Sequence, residues 1–308
     1  MLVTKEKIKQ HALNLGFSKI GFANPEKLEV EGRKLAEWLS NNYHGDMKWM
    51  EEDIEKRLDP KLIFPKVKSV IVLAANYYSD IRRSKDIGVG KISRYAWGDD
   101  YHIVVKNKLN TLLTYIKAIN TKADGKAYVD SGSVMEKIWA QRAGIGWQGK
   151  HSILISPQFG SWFFIGIIFI NLELEADNNL NDQCGDCTLC IDACPTNAIV
   201  EPYVLDARKC ISYQTIENKG TMEPELTDNY QNWIYGCDIC QDVCPWNQKF
   251  ATVTKISEFY PREYNIYPNL SELESISSEQ FMEKFKNSPI KRIKHKKFIE
   301  NIEAVTEK

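Results

Sequence analysis

The first 170 residues alternate between apolar runs of strand length and segments whose apolar residues recur at helical spacing. The runs 67–75 and 162–170 are rich in β-branched and aromatic residues, and the second is almost continuously apolar, which is typical of a buried central strand. Segment 100–119 has its apolar residues at the three- and four-residue spacing of a helix. Strands that alternate with helices in this way predict an α/β domain, in which helices pack on the faces of a sheet.

Turn-forming and capping residues divide the rest of the chain into further elements, and Asp99 is placed to cap the helix at 100–119. The predicted strands are 17–22, 67–75, 91–96, a strand that ends at 128–129, 151–155 and 162–170, and the last two are candidates for a hairpin around Pro157 and Gly160. The predicted helices are one between Thr4 and Gly16, then 27–42, 47–58, 100–119, 134–143, 278–286 and 291–305.

Length and composition predict more than one domain. The chain has 308 residues, 43% of them apolar, which is enough for two or three domains with a sizeable core. We assign residues 1–175 to the α/β domain, 176–252 to a ferredoxin-like α+β module and 253–308 to a short helical tail. An acidic, asparagine-rich stretch, 173–182, is predicted to link the first two segments.

The chain is expected to be a soluble, cytoplasmic protein. Its longest apolar stretch, 162–170, is far shorter than the roughly 20 residues that a membrane helix needs, and no secretory signal opens the sequence. The formal net charge is −1. A nucleic-acid partner would therefore have to be attracted by a local basic patch rather than by the protein as a whole.

All eight cysteines lie between residues 184 and 244. They form two runs, Cys184-x-x-Cys187-x-x-Cys190-x-x-x-Cys194-Pro195 and Cys237-x-x-Cys240-x-x-x-Cys244-Pro245, with Cys210 upstream of the second. The first run has the bacterial ferredoxin spacing, in which the fourth cysteine ligates the other of two clusters. This crossing predicts two complete [4Fe–4S] ligand sets, one of Cys184, Cys187, Cys190 and Cys244 and the other of Cys194, Cys210, Cys237 and Cys240.

Two other uses of these cysteines are less consistent with the sequence. Paired C-x-x-C steps also occur in zinc ribbons, but a zinc site needs only four thiolates and does not require a third such step. Proline directly after the last cysteine of each run is typical of ferredoxins. A disulfide framework is disfavoured because disulfides are rare in the reducing cytosol. Two clusters in one module carry single electrons, which indicates reductive chemistry.

A ferredoxin module alone does not account for the roughly 175 residues that precede it, so the clusters are expected to serve a site in the α/β half. The sequence carries no nicotinamide or flavin fingerprint and no P-loop, since Gly88-x-Gly90 lacks the third glycine. The glycine-dense segment 144–150 follows a predicted helix. It is either a helix-terminating loop or a loop pressed against a flat ligand, and the residues alone leave both readings open.

Two carboxylates stand out as candidate acid–base groups. Asp130 follows a strand and precedes Ser131-Gly132, which is a common place for a catalytic acid and an equally common place for a helix cap. Asp100 begins a predicted helix, where an aspartate normally offsets the helix dipole. His102 is by itself more typical of a surface or packing residue than of a ligand. The residues alone do not choose among these roles.

Several motifs together resemble those of the epoxyqueuosine reductase family, and the match extends over nearly the whole chain. They are Val129-Asp130-Ser131-Gly132, Arg142-Ala143-Gly144-Ile145-Gly146-Trp147-x-Gly149-Lys150, Arg94-Tyr95-Ala96-x-Gly98-x-Asp100-Tyr101-His102, Ser288-Pro289-Ile290-Lys291-Arg292 and the two cysteine runs.

The resemblance implies a cobalamin-dependent enzyme, related to reductive dehalogenases, that reduces the epoxide of epoxyqueuosine at the wobble position of certain tRNAs to give queuosine. Cobalamin would lie base-off between the α/β domain and the cluster module. The resemblance assigns the catalytic acid to Asp130, whose pKa would be raised by burial beside the apolar corrin. It assigns cofactor contacts to Arg94, Asp100, Tyr101, His102, Gly144, Gly146, Trp147, Gly149 and Lys150.

The sequence departs from the family in one way. Longer members carry a C-terminal HEAT-like helical domain that helps to hold tRNA, whereas this sequence ends soon after the basic run 291–297, which is either a phosphate contact or a solvated helix face. Arg82-Arg83-x-Lys85 is a second basic cluster. Base-on cobalamin proteins use Asp-x-His-x-x-Gly for the lower cobalt ligand, but here Val105 replaces the glycine, so His102 is not expected to ligate cobalt.

The resemblance also implies partners, namely the anticodon loop of tRNA and an electron donor such as flavodoxin or ferredoxin, for a protein expected to be a monomer. Two rival functions share some of these features. A ferredoxin-type electron-transfer protein would bind iron and sulfide without a corrin, and a dehalogenase-like reductase would act on a small molecule.

Overall fold

The computed structural model describes residues 2–306. The β-strands are β1 (Lys19–Ala23), β2 (Ser69–Asn76), β3 (Lys91–Ile92), β4 (Gly125–Tyr128), β5 (Trp147–Gln148), β6 (Leu154–Ile155), β7 (Phe163–Ile170), β8 (Ile199–Glu201), β9 (Val204–Leu205) and β10 (Trp233–Tyr235). The α-helices are α1 (Leu2–Asn14), α2 (Glu29–Ser40), α3 (Ile54–Leu58), α4 (Pro60–Ile63), α5 (Tyr101–Ile119), α6 (Glu136–Arg142), α7 (Leu189–Asp192), α8 (Ile211–Ile216), α9 (Pro224–Thr227), α10 (Ile239–Asp242), α11 (Pro245–Phe250), α12 (Glu263–Ile266), α13 (Leu270–Glu274), α14 (Ser278–Lys284) and α15 (Lys294–Thr306). Short 3₁₀ helices cover Lys48–Met50, Arg94–Ala96, Ala207–Lys209, Ser257–Phe259 and Pro289–Ile293.

A four-stranded sheet with the order β1-β2-β7-β4 forms the centre of the first half. All three pairings are antiparallel, with Ile71 of β2 between Phe22 of β1 and Ile168 of β7. Helices α1 and α5 share a core with one face of the sheet, and α6 shares a core with the other. The sheet therefore has helices on both faces, as predicted, but its strands do not run parallel as such an alternation usually implies.

The predicted hairpin between 151–155 and 162–170 is wrong. β6 pairs with β5, and the turn between β6 and β7 holds an isolated bridge between Ser156 and Gly160. β7 is hydrogen-bonded to β2 along one edge and to β4 along the other, so neither edge is open to β6. The apolar pattern located both strands but carried no information about their partners.

Local backbone chemistry shifts two predicted helix boundaries. The segment 47–58 is not one helix, since Asp53 adopts a left-handed conformation (φ +51°) between the 3₁₀ turn and α3. Asp100, rather than Asp99, caps α5, because its side chain accepts the backbone N–H of His102 at 3.0 Å. Asp99 instead forms an ion pair with Arg262 in the tail.

The predicted linker 173–182 has neither helix nor strand, but it is fixed to the first domain. The carboxylate of Asp177 binds the ammonium of Lys5 at 2.8 Å and accepts the backbone N–H of Phe22 at 3.1 Å. The chain therefore enters the cysteine-rich region from a defined point on the edge of the sheet.

A second hydrophobic core joins all three predicted segments. It contains Ile92 and Trp97 from the first, Trp233 from the second, and Phe281 and Phe298 from the tail. β10 pairs in parallel with β3, which connects the second cysteine run to the first half of the chain. The boundaries 1–175, 176–252 and 253–308 stay a prediction, and no separate core belongs to the tail among the described residues.

The last helix, α15, is tied to the segment that carries the second cysteine run. The buried amide of Asn301 donates hydrogen bonds to the carbonyl oxygens of Thr215 at 2.8 Å and of Ile234 at 3.0 Å. Thr215 in turn accepts the backbone N–H of Gly236, one residue before Cys237. The tail thus supports the loop on which Cys237 is held. No helix within residues 2–306 is both long enough and apolar enough to cross a membrane.

Candidate functional site

Asp130 lies on a strained turn between β4 and α6. Its φ is +45°, a left-handed conformation that is uncommon for residues other than glycine, and Gly132 follows at +86°. The backbone N–H of Asp130 donates to Oε1 of Glu136, in the first turn of α6, at 2.6 Å. No side chain caps α6, so the alternative that Asp130 serves as a helix cap does not describe this turn.

The carboxylate of Asp130 is the meeting point of three predicted site residues. The Tyr101 hydroxyl donates a hydrogen bond to Oδ2 of Asp130, and Nε2 of His102 lies 3.5 Å from the same oxygen. On the other side of the imidazole, Nδ1 of His102 lies 2.8 Å from Oδ1 of Asp100. Tyr101 is held in place by stacking on Phe164 of β7, with ring centroids 4.3 Å apart.

Charges within this group separate the pKa values of its members. Burial would raise the pKa of Asp130, but hydrogen bonds from His102 and Tyr101 and the charge of His102 lower it below its usual value. In the protein without bound cofactor or substrate, the Asp130 carboxyl group is therefore ionised at neutral pH, contrary to the expectation that it stores a proton there. Burial opposes protonation of His102, but Asp100 and Asp130 raise its pKa to about 9. Burial and the charge of Asp130 raise the pKa of Glu136 to about 8.

Lys137 interacts electrostatically with both Asp130 and the second group of cysteines. The carboxylate of Asp130 is 53% exposed. Lys137, one residue after Glu136, is also exposed. Its ammonium donates a hydrogen bond to the carbonyl oxygen of Ser152 at 3.2 Å and interacts electrostatically with Asp130 and Glu136 and with Cys240 and Cys210. Lys137 therefore lies near both the acidic group and these two thiols.

Four cysteines cluster on the outer side of the module. Burial first, and then the nearby thiolates of Cys184, Cys244 and Cys187, raise the pKa of Cys190 to about 11. Cys187 is exposed, whereas Cys190 and Cys244 are buried. Trp147 packs against Cys184 and Cys244, and its buried Nε1 has no hydrogen-bond partner. An N–H directed at this place fits a bound sulfide or thiolate, which accepts hydrogen bonds.

The other four cysteines form an inner group. Burial, Cys210, Asp238 and Cys194 all contribute to the pKa of Cys237, which lies well above its usual value. Cys240 is affected by burial, by Cys237 and Cys210, and also by Cys190 of the outer group. The two groups therefore lie side by side. No set of three or more His, Cys, Asp or Glu side chains in residues 2–306 is arranged around a single metal ion, and cubane ligands differ from such a set because each thiolate binds a different iron atom.

A buried ion-pair network supports the inner group. Asp238 is fully buried between Cys237 and Cys240, and its carboxylate pairs with Arg83 and accepts the backbone N–H of Arg94 at 2.8 Å. Nη1 of Arg94 lies 2.6 Å from Oδ1 of Asp242, and Nη1 of Arg83 lies 2.9 Å from the other oxygen of Asp242. Arg94 is thus placed at the cysteine loop and not at Asp130. Arg83 is likewise engaged in this network rather than in a surface patch.

The glycines of segment 144–150 are required by packing within the protein. Gly144 has a φ of +69° just past α6, and a Cβ there would lie 2.4 Å from the carbonyl oxygen of Asn178. A Cβ on Gly146 would lie 2.2 Å from the carbonyl oxygen of Ile155, and one on Gly149 would lie 2.7 Å from Cδ1 of Ile155. Gly144 therefore ends the helix, which is the first of the two readings left open by the sequence.

The polar ends of this segment face the outer cysteines. Nζ of Lys150 donates to the carbonyl oxygen of Gly185 at 2.6 Å, next to Cys184. Trp147 lies against Cys184, as described above. The structure thus brings Asp100, Tyr101 and His102 to Asp130, whereas it places the glycine-rich segment at the outer cluster position. Its assignment as a cofactor contact stays a prediction.

Known proteins are similar to this chain over nearly its full length. The family model described as epoxyqueuosine reductase QueG, DUF1730, matches residues 57–131, and that of the 4Fe–4S double cluster binding domain matches residues 183–247. An epoxyqueuosine reductase from Atelocyanobacterium thalassa (isolate ALOHA) is 43% identical over 307 residues, which cover 99% of both chains. The chain belongs to the epoxyqueuosine reductase family.

Two solved epoxyqueuosine reductases have the same fold. One is a crystal structure with a tRNA-Tyr epoxyqueuosine-modified tRNA stem loop, with a TM-score of 0.91 and 34% identity. The other, from Bacillus subtilis, has its catalytic aspartate loop swung out of the active site, with a TM-score of 0.90 and 32% identity. Each comparison covers 98% of this chain and 80% of the solved chain.

Two residues of this epoxyqueuosine reductase family member were missed by sequence reasoning. Glu136 holds the backbone of Asp130, but an acidic residue in the first turn of a helix is ordinarily explained by the helix dipole. The sequence signal that could have found it is a second carboxylate on the turn that carries Asp130. Lys137 has no signal in the sequence, because its position between Asp130 and the inner cysteines arises from the packing of two distant segments.

Proposed function

We propose that this protein reduces the epoxide of epoxyqueuosine at the wobble position of tRNA to queuosine, using electrons from two [4Fe–4S] clusters and cobalamin. The observation that carries the proposal is the proximity of the Asp130 group to the inner cysteines, since the ammonium of Lys137 interacts with Asp130 and also with Cys210 and Cys240. An epoxide leaves as water only when electrons and protons arrive at the same place. The family membership supplies the substrate class, since a solved relative holds an epoxyqueuosine-modified stem loop.

The two cysteine groups are proposed as crossed ligand sets. The outer cluster takes Cys184, Cys187, Cys190 and Cys244, and the inner cluster takes Cys194, Cys210, Cys237 and Cys240. The exposure of Cys187 makes the outer cluster the natural entry point for electrons from a small redox protein such as flavodoxin or ferredoxin. The inner cluster, beside Lys137, then delivers these electrons to the site at Asp130.

The residues between Asp130 and the inner cysteines fit a bound cobalamin. Lys137 is exposed and its ammonium interacts with both groups, which suits the amide oxygens and the phosphate at the edge of a base-off corrin. When bound, cobalamin supplies a redox-active cobalt that passes electrons to the substrate. The chain's own part is to place Asp130 at the leaving oxygen, to hold its backbone through Glu136 and to keep its carboxylate oriented by Tyr101.

Asp130 is proposed as the group that protonates the oxygen when the epoxide opens. An alkoxide is a poor leaving group and has to be protonated as it departs. The turn around Asp130 is the counterpart that we propose for the catalytic aspartate loop of the Bacillus subtilis relative. Its left-handed φ and its exposed carboxylate are consistent with a turn that changes position when substrate and cofactor enter.

The basic run of the tail is proposed to hold the anticodon loop. Arg292 is exposed, pairs with Glu217 at 2.7 Å and interacts electrostatically with Asp130. Lys291 interacts in the same way with Asp100. The run therefore begins beside the mouth of the site, where the phosphates that flank an extruded wobble nucleoside would lie. Extrusion of an unpaired base costs only a few kcal/mol.

Three further assignments belong to this proposal. Residues 1–175 bind cobalamin and substrate, 176–252 form the ferredoxin-type electron-transfer module, and 253–308 are a tail that contacts tRNA. We also propose that the protein works as a monomer.

The test is turnover of an epoxyqueuosine-containing anticodon stem–loop by anaerobically purified protein with reconstituted clusters. We expect queuosine to form only when cobalamin is present. Asp130→Asn should lower the single-turnover rate by roughly 10²–10⁴, the usual contribution of a positioned acid, while clusters and stem–loop affinity are kept. Asp124→Asn, on the exposed loop before β4, is the matched control and should keep full activity. Full turnover without a corrin, or an active Asp130→Asn variant, would overturn the proposal.

A further inference from the structure

The proton balance of the proposed reaction is not explained by Asp130 alone. Conversion of an epoxide to an alkene and water consumes two electrons and two protons, and both protons end on the departing oxygen. The contacts of Asp130 keep it ionised in the protein, because His102 and Tyr101 stabilise its charged form against the effect of burial. A carboxylate that starts without a proton can deliver one only if a neighbour supplies it.

His102 has the geometry of that neighbour. Its Nε2 lies 3.5 Å from Oδ2 of Asp130, and its Nδ1 lies 2.8 Å from Oδ1 of Asp100. Asp100 is fixed in turn as the N-cap of α5, where the same oxygen accepts the backbone N–H of His102. The imidazole stacks on Tyr101 with centroids 4.1 Å apart, which fixes its plane. Its side chain is 34% exposed, so solvent can exchange protons with it.

We propose that His102 is the proton donor that loads Asp130, with Asp100 as the residue that positions its ring. The inference rests on the proposed function and names the proton path of the same site.

Each transfer in this path is balanced. The clusters supply two electrons, one at a time, and the carbon–oxygen bonds of the epoxide break. As the first bond breaks, Nε2–H of His102 gives its proton to Oδ2 of Asp130, and the carboxyl group passes that same proton to the departing oxygen, so Asp130 carries it only during the transfer. His102 regains its proton from solvent and the step is repeated, and the oxygen leaves as water. The overall transfer of a proton from an imidazolium to an alkoxide lowers the free energy. Transfer of the same proton to an isolated carboxylate would raise it.

Other titratable groups face this path and define the rival donors. The charged or titratable side chains around His102 and Asp130 are Tyr95, Asp100, Tyr101, Glu136, Lys137, Lys291 and Arg292. Tyr101 touches the same carboxylate, and burial together with the charge of Asp130 raises its pKa far above its usual value, which makes it a weak donor. Glu136 contacts the backbone N–H of Asp130. Tyr101 and Glu136 are therefore the two alternatives that the experiment has to separate.

The first experiment is a pH profile of the single-turnover rate with cluster- and cobalamin-loaded protein. Because the pKa of His102 is raised to about 9, the single-turnover rate of the unmodified protein should have its full value below that pH. It should decline as the pH rises through 9. Asp100→Asn should move this decline toward pH 6.5, the ordinary value. His102→Gln should lower the rate roughly 100-fold at pH 7, at the low end of what an acid–base group contributes, and should abolish the decline.

Added imidazole should restore the rate of His102→Gln in proportion to its concentration, which a purely structural defect would not permit. Tyr101→Phe and Glu136→Gln are the comparison variants and should keep the alkaline decline. If either of them removes the decline while His102→Gln retains it, His102 is not the donor. Absence of rescue by imidazole together with unchanged stem–loop affinity would also overturn the assignment.

The second experiment does not depend on turnover, so it separates this inference from the proposed function. Histidine NMR of the cluster-loaded protein should show His102 titrating near pH 9, and Asp130→Asn and Asp100→Asn should each lower that value. His11→Gln, in α1, should remove its own signal and leave that of His102 unchanged. If His102 titrates near pH 6.5 in all of these proteins, the proposed coupling of His102 to Asp100 and Asp130 is refuted, even if epoxyqueuosine is reduced.

Discussion

The buried carboxylate of Asp238 should be essential for the inner cluster, although it is not proposed to touch iron. Asp238 is fully buried and faces Arg83 and Arg94, whose side chains are 11% and 10% exposed. It also accepts the hydroxyl of Ser93. Asp238→Asn keeps the size of the side chain and removes its charge, so the two guanidinium groups are left with Asp242 as their single carboxylate among these partners.

The expected cost follows from this arrangement. Removal of one partner of a buried ion pair typically destabilises a protein by about 3–5 kcal/mol, because a buried charge is left uncompensated. Asp242 is 37% exposed and still contacts both arginines, which places the expected value near the lower limit, about 3 kcal/mol. At roughly 2–4 °C per kcal/mol for a large domain, Tm should fall by roughly 6–12 °C.

The functional consequence should be confined to one cluster. Asp238 lies between Cys237 and Cys240, and its carbonyl oxygen accepts the backbone N–H groups of Gln241 and Asp242 that start α10. A loosened loop should lower the iron content and the EPR signal of the inner cluster and leave the outer cluster intact. Anaerobic thermal unfolding and cluster-resolved EPR are the two measurements.

The first cysteine run provides a matched control. Asp192 has the place there that Asp242 has in the second run, but it is exposed and accepts a hydrogen bond from the Thr188 hydroxyl at 2.7 Å. Asp192→Asn should change stability by no more than about 0.5 kcal/mol, as surface substitutions usually do. In an Arg83→Gln background, Asp238→Asn should cost less than it does alone, since one uncompensated charge is gone. Equal Tm values for Asp238→Asn and Asp192→Asn would refute the reasoning.

Two further predictions concern the clusters and tRNA. Cys244→Ser should alter the same EPR signal as Cys184→Ser, because both thiols belong to the outer group; a change in the inner signal instead would show that the ligand sets are not crossed. Arg292→Gln should reduce the slope of log affinity for the stem–loop against log salt by about one, as expected for the loss of one phosphate contact. Lys286→Gln, elsewhere in the tail, should leave that slope unchanged, and equal slopes in all three proteins would remove Arg292 from the recognition surface.

The sequence was informative where a local pattern has one structural meaning. The β-branched and aromatic runs predicted β2 and β7, because a strand buried on both faces has to be apolar along its length. Cysteine spacing likewise predicted two groups of four, because the ferredoxin spacing implies that the last cysteine of each run joins the other group. The strands depend on residues close together in the chain, whereas the cysteine groups were predicted from a recurring motif.

Features that depend on contacts between distant residues could not be predicted from the local sequence pattern. The assignment of Arg94 as a cofactor contact stays a prediction, but its ion-pair partners Asp238 and Asp242 lie more than 140 positions away and could not be predicted from the sequence. Gly144 and Gly146 are explained by the backbone of Asn178 and Ile155, and Gly149 by the Ile155 side chain, and no spacing rule connects these residues. The low pKa of Asp130 is set by His102 and Tyr101 on another helix, so the sequence predicted the residue and not its protonation state.

The attachment of α15 to the inner cysteine loop has a consequence for how the protein is made. Asn301 bonds to Thr215 and Ile234, and Phe298 fills the core beneath them. During synthesis, Cys210, Cys237 and Cys240 leave the ribosome well before this helix exists. A cluster inserted at that stage would meet a scaffold without its support, so stable iron–sulfur loading of the inner group has to wait until translation has passed residue 301.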